Sequence, residues 1–214
     1  MFPFPFSFVA PTASGIGTVD NVYSMEFDGV DDYFDLGTGL NIFRYNINES
    51  YSVSLWYKTT SSAADKTIIN LGANSYRFTL ATASSGKITF GAGNSSTVGV
   101  TYNWLPTAGA INDGNWHHIC IVQDSSGGIV NLTSYVDGSS SGSGISTTFV
   151  TQNNNRIGDG HYGAMEGGLD EVAIFNYALD SDQVQEIYDA TSTGVTADLD
   201  TLSTPPVAWY RMGD

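Results

Sequence analysis

The sequence predicts an all-β sandwich or jelly roll with one short helix near its carboxyl-terminal end. Short apolar stretches recur along the chain, and turn-forming pairs such as Ser85-Gly86 and Asp113-Gly114 separate them. The chain has 24 glycines, which suits many tight turns, and 41 % of its residues are hydrophobic, which is enough for a sizeable core. Because the length is 214 residues, one large β domain is favoured over two.

The first predicted strand covers residues 22–28, where Tyr23, Met25 and Phe27 alternate with other residues and are expected on one buried face. Residues 51–58 repeat this alternation. Further strands are predicted at residues 33–36, 67–71, 76–82, 87–90, 98–103, 116–123, 130–136 and 156–158. Many short strands of this kind are typical of a sandwich or a jelly roll.

Residues 169–177 are predicted to form a strand that is buried on both faces, because both alternating sets of side chains are bulky. Val172 belongs to one set and Leu169 to the other. As neighbours on a strand, Asp170 and Glu171 are expected to face opposite sides. The residues expected to be almost fully buried are Phe27, Leu55, Ile119, Val172 and Ile174.

A short helix is predicted directly after this strand. Asp180 is suited to cap it, and Gln183 stands three residues later as the reciprocal partner of a capping box. Leu179 and Val184 occupy the positions of a hydrophobic staple. One apolar side of the helix must therefore pack on another element.

Four segments, taken in chain order, resemble laminin G-like, or concanavalin A-like, domains. They read FDGVDDYFDLG (27–37), YSVSLWYK (51–58), DGNWHHICIV (113–122) followed by YVDG (135–138), and GGLDEVAIFNYALDSDQVQEIYDA (167–190). The resemblance implies a concanavalin A-like (laminin G-like) jelly-roll β-sandwich with one short C-terminal helix. It implies less about function, because this fold carries lectins, adhesion modules, hydrolases and structural domains.

Three parts of the chain are predicted: an extended N-terminal arm at residues 1–20, the sandwich at 21–191, and a tail or late strand at 192–214. The arm begins MFPFPFSFVAP, which is aromatic and interrupted by prolines. The last part contains VAWYRMGD, which resembles a segment that often opens a domain of this family. It is expected either to complete this sandwich or to begin a second module.

The charge excludes some partners. The chain has 7 basic and 22 acidic residues, and a net charge of −15 disfavours nucleic acid and anionic lipid. The N-terminal residues resemble neither a signal peptide nor a membrane-spanning segment, so no membrane insertion is expected. With one cysteine, Cys120, the chain forms no internal disulfide.

The carboxylates do not match a glycosidase pattern. Endo-glucanases on this fold carry E-x-D-x-x-E or E-x-D-x-E on one strand, whereas the nearest set here is Glu166, Asp170 and Glu171. A serine-hydrolase elbow of the form G-x-S-x-G is also not found. The sequence therefore predicts a protein without catalytic activity.

Calcium is the candidate cofactor. Asp28, Asp31, Asp32 and Asp35 cluster in one predicted turn, and calcium prefers carboxylate and carbonyl oxygens. The family resemblance implies a structural calcium held by Asp28 or Asp31 together with Asp170. The alternative is that these aspartates cap a turn and stay solvated.

Glycan binding favours flat aromatic side chains beside amides or carboxylates. Trp56 lies on the less apolar face of its predicted strand, where it is either a platform on an open sheet or part of the core. The candidate ligand-binding residues are Trp104, Asn153, Asn154, His161 and Tyr162.

Two functions follow from the sequence. The first is a structural or decoration module of an extracellular assembly, most specifically a bacteriophage virion or tail protein, with adhesion to cell-surface glycan as a further role. Four phenylalanines within residues 1–11 suggest docking on other subunits through the arm. The alternative is a secreted or cell-surface lectin-like adhesion module. The expected location is the virion surface or the extracellular space.

Overall fold

The computed structural model describes residues 15–37, 49–73, 76–94, 105–107, 109–126, 130–146, 155–160, 162–191 and 194–213. These residues contain two antiparallel sheets, a two-stranded ribbon and one α-helix, joined by turns and loops. The strands are β1 Gly17–Asp20, β2 Met25–Asp28, β3 Phe34–Asp35, β4 Tyr51–Lys58, β5 Thr67–Ala73, β6 Tyr76–Thr82, β7 Ile88–Asn94, β8 Leu105–Pro106, β9 Trp116–Asp124, β10 Val130–Val136, β11 Ser139–Ser146, β12 Arg156–Ile157, β13 Glu166–Phe175, β14 Val195–Asp198 and β15 Ala208–Tyr210. The helix is α1 Ser181–Asp189.

The first sheet has the strand order β11-β10-β9-β4-β13-β15, and β2 pairs with the other end of β13. The second sheet has the order β3-β12-β5-β6-β7-β8. Adjacent strands are joined antiparallel throughout both sheets. This arrangement confirms the predicted concanavalin A-like jelly-roll sandwich.

The main core lies between the two sheets. Phe27, Leu55, Ile119, Val172 and Ile174 are all buried there, as expected. The prediction for the first strand is wrong at two positions, because Tyr23 is 64 % exposed and Met25 is 37 % exposed. The structure begins β2 only at Met25, so Tyr23 belongs to the segment before the strand and faces outward.

Helix α1 covers one half of the outer face of the first sheet. The capping box is present: Asp180 accepts a hydrogen bond from the Gln183 backbone, and the Gln183 side chain accepts one from the Asp180 backbone. Leu179 and Val184 are buried against this sheet, in a second apolar cluster that includes Phe175. Burial of its apolar side is what holds so short a helix, since nine residues are marginal in isolation.

A β-bulge interrupts β13 between Asp170 and Ala173. Glu171 takes a positive φ of 52°, so the chain gains one residue and the alternation shifts by one position. Leu169 consequently packs in the main core with Val172, and its predicted assignment to the other face is wrong. The expectation that Asp170 and Glu171 face opposite sides is also wrong, because both carboxylates accept hydrogen bonds from Asn21.

The terminal segments pair with other parts of the chain. Strand β1, within the range assigned to the arm, pairs with β14, while β15 pairs with β13 and extends the first sheet. The VAWYRMGD segment thus adds a late strand to this sandwich. Residues 1–14, which include the phenylalanine-rich part of the predicted arm, lie outside the described residues. Among the residues described, no helix is long and apolar enough to cross a membrane.

Candidate functional site

The half of the first sheet that α1 leaves uncovered carries two rows of side chains. In one row, Asp170 of β13 lies opposite Trp56 of β4, and Trp56 lies opposite His118 of β9. In the next row, Lys58 of β4 lies between Gly168 and Trp116. Residues that pair directly across strands share one face, so aromatic, acidic and basic groups all stand on this surface.

Trp56 and Asp170 of the first row and Trp116 of the second form the floor of a cleft of about 570 Å³. One wall is the segment before β2, and the other is formed by the residues around the start of β14. The two walls are joined by a hydrogen bond, in which the backbone N of Asn21 donates to Gly194 O at 3.0 Å. The cleft is lined by Asn21, Val22, Tyr23, Ser24, Trp56, Trp116, Asp170, Thr191, Gly194 and Val195. Its volume falls within the range of ordinary ligand pockets, which is about 300–1,000 Å³.

Trp56 is held by two neighbouring rings. Tyr188 of α1 stacks on it with a centroid distance of 5.8 Å and an interplanar angle of 17°, and His118 lies 5.3 Å away. Burial lowers the pKa of His118 to about 4, so its ring is neutral at neutral pH, and its Nε2 lies 2.8 Å from Ser54 Oγ. Trp56 is half-buried as a result, with a fixed orientation at the cleft.

Trp116 owes its position to a glycine. A Cβ atom on Gly168 would approach the indole to 2.8 Å, so only glycine leaves room for the ring to lie against β13. Glu26 reaches the same point from β2, with Oε1 3.0 Å from that Cβ position. Lys58 Nζ lies 5.9 Å from the centroid of the Trp116 ring. Trp116 is therefore a half-buried aromatic surface with one acidic and one basic neighbour.

The β13 bulge ties a cleft wall to the floor. Asn21 Nδ2 donates to Asp170 Oδ2 and to Glu171 Oε1, both at 3.0 Å. The Glu171 backbone N donates to Asp170 Oδ1 at 2.8 Å. Asp170 is 6 % exposed and lines the cleft, so its carboxylate is fixed on two sides before any ligand arrives.

Glu171 continues the same network behind the cleft. Its Oε2 accepts a 2.5 Å hydrogen bond from Trp209 Nε1, and its Oε1 lies 3.6 Å from Arg211 Nε. Burial raises the pKa of Glu171 to about 7, although the hydrogen bond from Trp209 and the charge of Arg211 oppose this shift. Arg211 also donates to the backbone carbonyl of Asp20. The N-terminal and C-terminal segments thus meet at one buried carboxylate.

Tyr162 is the one predicted ligand-binding residue that the structure describes. Trp104, Asn153, Asn154 and His161 lie outside the described residues. Tyr162 is half-buried beside the second sheet, where its backbone N donates to Thr67 Oγ1 at 3.1 Å, and it does not line the cleft. No local pattern in the sequence unites Asn21, Trp116 and Asp170. The available signal was that Trp56 and Trp116 stand at outward-facing positions of two strands.

The predicted calcium ligands separate into two places. Asp28, Asp31 and Asp32 are exposed, and one carboxylate oxygen of each lies within 4.8 Å of the others. Asp170 is not in this group, because Asp28 pairs with Glu166, four residues before Asp170 on β13. Two of the carboxylates also accept turn hydrogen bonds, from the Val30 and Asp28 backbones. Calcium binding at this turn stays a prediction.

Cys120 is buried under α1, and burial raises the pKa of its thiol. This fits the interpretation of Cys120 as a small buried apolar residue, since a reactive thiol needs a lowered pKa and exposure.

A two-sheet β-sandwich with an aromatic cleft on one outer face defines the class of this protein. The family described as the concanavalin A-like lectin/glucanases superfamily matches residues 28–185, which is well over half of the chain. The chain belongs to this superfamily. A search of curated proteins found no significant match.

Solved structures share the fold at low sequence identity. Domain 4 of AbnA, a GH43 extracellular arabinanase from Geobacillus stearothermophilus, in complex with arabinotriose, is 22 % identical, with a TM-score of 0.61 over 83 % of this chain and 81 % of that one. The CBM40 of the Ruminococcus gnavus IT-sialidase, bound to α2,3-sialyllactose, is 13 % identical, with a TM-score of 0.60 over 82 % and 100 %. Mouse laminin α1 domains LG4-5 are 15 % identical, with a TM-score of 0.56 over 85 % of this chain and 48 % of that chain.

Proposed function

We propose that this protein is a non-catalytic carbohydrate-binding module that acts outside the cell, and that it binds glycan in the cleft floored by Trp56, Trp116 and Asp170. The observation that carries the proposal is two half-buried tryptophans beside a fixed carboxylate in one open cleft. Aromatic faces offer apolar contact area with little loss of side-chain entropy, and a carboxylate accepts hydrogen bonds from sugar hydroxyls. The arabinotriose and sialyllactose complexes on the same fold support this proposal.

The cleft is prepared for binding before a ligand enters. Tyr188 and His118 fix Trp56, Gly168 fixes Trp116, and the backbone of the bulge fixes Asp170. A site whose groups are already ordered loses less entropy on binding, which raises affinity. Tyr23, exposed at the rim, offers a third ring for contact with a bound sugar.

The absence of catalysis is part of the proposal. The bulge brings Asp170 and Glu171 together, but both hold Asn21, and Glu171 also binds Trp209 and Arg211. A glycosidase needs one carboxylic acid and one carboxylate on either side of the scissile bond. Here the buried carboxylate of Glu171 connects segments of the protein instead of facing the cleft.

Alanine substitution of Trp116 tests the proposed site. A glycan array and calorimetry should show binding by the wild-type protein, and Trp116→Ala should weaken it about tenfold or more, which corresponds to about 1.4 kcal/mol. Tyr162→Ala is the matched aromatic control, because Tyr162 lies outside the cleft and belongs to the site predicted from the sequence. Loss of binding in Tyr162→Ala with full binding in Trp116→Ala would place the glycan on the other loops.

A structural role in an extracellular assembly, most specifically a bacteriophage virion, is the second candidate function. It is favoured by the four phenylalanines within residues 1–11, a stretch whose prolines are unsuited to a helix interior or a central strand. Each buried ring contributes about 1.5–3 kcal/mol, enough for docking on another subunit. Deletion of residues 1–11 should leave the melting temperature unchanged and abolish self-association in light scattering. A truncated protein that still assembles would contradict this role.

A further inference from the structure

The charge around the cleft restricts the glycans that fit it. Asp170 lies on the floor and Glu26 stands beside Trp116, while none of the described residues that line the cleft is lysine or arginine. The chain as a whole carries 22 acidic against 7 basic residues. An acidic sugar in this cleft would therefore meet like charges at close range.

The two nearby cations are not among the described residues that line the cleft. Arg211 pairs with Glu171 and donates to the carbonyl of Asp20, so its guanidinium belongs to the network behind the cleft. Lys58 lies beside Trp116 in the same row as Glu26, so one basic and one acidic side chain flank that ring. Proteins that recognise carboxylates usually present an arginine fork to both oxygens, and this cleft offers none within the described residues.

We infer that the cleft selects uncharged oligosaccharides and rejects glycans that carry carboxylate or sulfate groups. The inference rests on the proposed function, since it concerns the ligand of that same cleft. Sugar hydroxyls donate to Asp170, and a hydrogen bond to a charged acceptor is stronger than one between neutral groups. A carboxylate or sulfate at the same position has no proton to donate and is repelled.

The spacing of the tryptophans favours more than one sugar unit. Trp56 pairs with His118, and Trp116 lies two residues before His118, so the two tryptophans are diagonal neighbours on adjacent strands. Such positions are about 7–8 Å apart. One sugar ring covers one indole, so both rings are used only by an oligosaccharide.

Matched glycan pairs test the inference. Lactose and α2,3-sialyllactose form one pair, and each neutral oligosaccharide bound on an array is paired with its uronic acid or sulfated form. Calorimetry should show the neutral member binding about tenfold or more tightly than the acidic member at low salt. Raising the salt from about 0.01 M to about 1 M shortens the Debye length from about 30 Å to about 3 Å. It should therefore narrow the gap, which is the difference in affinity between the neutral and the acidic member of a pair. Binding of the neutral member should not change.

Charge variants make the test independent of salt. Glu26→Gln removes an exposed charge beside Trp116 and should narrow the gap several-fold. Glu49→Gln is the matched control, because Glu49 is exposed just before β4, at the end remote from Trp56, and it should leave the gap unchanged. Asp170→Asn should narrow the gap further. If Asp170→Asn does not fold, Glu26→Gln and the salt series alone test whether charge causes the selection against acidic glycans.

The outcomes distinguish failure of the inference from failure of the proposed function. Tighter binding of the acidic member, lost in Trp116→Ala, would overturn the inference and leave the proposed function intact. A gap that responds neither to salt nor to Glu26→Gln would mean that shape sets the selection, which also overturns it. If neither member of any pair binds, the proposed function fails and the inference fails with it.

Discussion

The two halves of one sheet face show how the same strands serve stability and binding. Under α1, Ser52 and Ser54 of β4 are fully buried, and Ser52 Oγ donates to Tyr177 O and accepts from the Leu179 backbone. A few residues further along the same strand, Trp56 is half-buried at the cleft and Lys58 is half-buried beside Trp116. Small residues allow the helix to pack closely, whereas large amphipathic ones stand at and beyond the edge of the helix.

The same strands thus provide their own comparison. Residues under α1 show what a covered part of this face looks like, and the half-buried tryptophans differ from it. If the open half were only an unfinished part of the core, substitutions there would destabilise the fold as substitutions under α1 do. If it is a binding surface, they should affect binding and leave stability nearly unchanged.

The largest expected effect is on the covered half. Phe175→Ala removes a fully buried ring that packs with α1 and should lower the free energy of unfolding by about 3–5 kcal/mol. Denaturant unfolding measures this change. Trp116→Ala is the counterpart on the open half and should lower stability by about 1 kcal/mol or less. Equal losses in the two variants would show that the open half is core.

Gly168→Ala should impair binding with little loss of stability. The new Cβ would lie 2.8 Å from the Trp116 indole and 3.0 Å from Glu26, so the ring must move away from the cleft floor. Glycan affinity should fall several-fold in calorimetry. Gly109→Ala is the matched control, since a Cβ there meets no atom within 4 Å. Unchanged affinity in Gly168→Ala would mean that the position of Trp116 is unimportant.

Glu171 should make the protein less stable as the pH rises from about 4.3 to about 7. Its pKa of about 7 in the folded protein lies above the unfolded value of about 4.3, so its contribution is complete below the unfolded pKa and is lost as the pH rises through about 7. Hydrogen bonds to Asp137 and Asp113 raise the pKa of His117, against the lowering effect of burial, and act in the same direction.

Glu171→Gln isolates this carboxylate. It keeps the size of the side chain and removes the titration, so the melting temperature of the wild-type protein should fall relative to that of the variant between about pH 4.5 and about pH 7.5. The low pKa of His118 acts in the opposite direction over part of this range, but it acts in both proteins alike, so the difference between them isolates Glu171. If the curves of melting temperature against pH are parallel for the two proteins, the raised pKa of Glu171 is contradicted.

The smallest expected effect concerns calcium. If calcium binds to Asp28, Asp31 and Asp32, the melting temperature should be higher in millimolar calcium than in EDTA. The expected rise is about 2–4 °C for each kcal/mol by which calcium stabilises the folded state. Asp28→Asn should remove the difference. Because Asp28 pairs with Glu166, four residues before Asp170, and Asp170 is not in the aspartate group, Asp170→Asn should not remove the difference. Identical scans with and without calcium would leave the aspartates as turn caps.

Much of the fold follows from local patterns that are visible in the sequence. Tyr51–Lys58 is a strand with the predicted bounds, because its alternation spans the whole element. Asp180 and Gln183 form the predicted capping box, because its two hydrogen bonds join residues only three positions apart. Gly168 can also be read from the sequence, but the reason that a glycine is needed there is the Trp116 ring, which comes from another strand.

The candidate site was not predictable in the same way. Asn21 binds Asp170 and Glu171 across 149 and 150 positions of sequence, and their meeting depends on a bulge that alternation does not reveal. The sequence by itself determined the central strands such as β4, β9 and β13, where the helix begins and which side chains are apolar enough for a core. Strands β1, β8, β11 and β14 were not predicted, and the strand predicted at residues 98–103 lies outside the described residues. The tertiary structure decided which half of the sheet α1 covers and which carboxylates meet, because strand pairing and the positive φ of Glu171 are set by packing between distant segments.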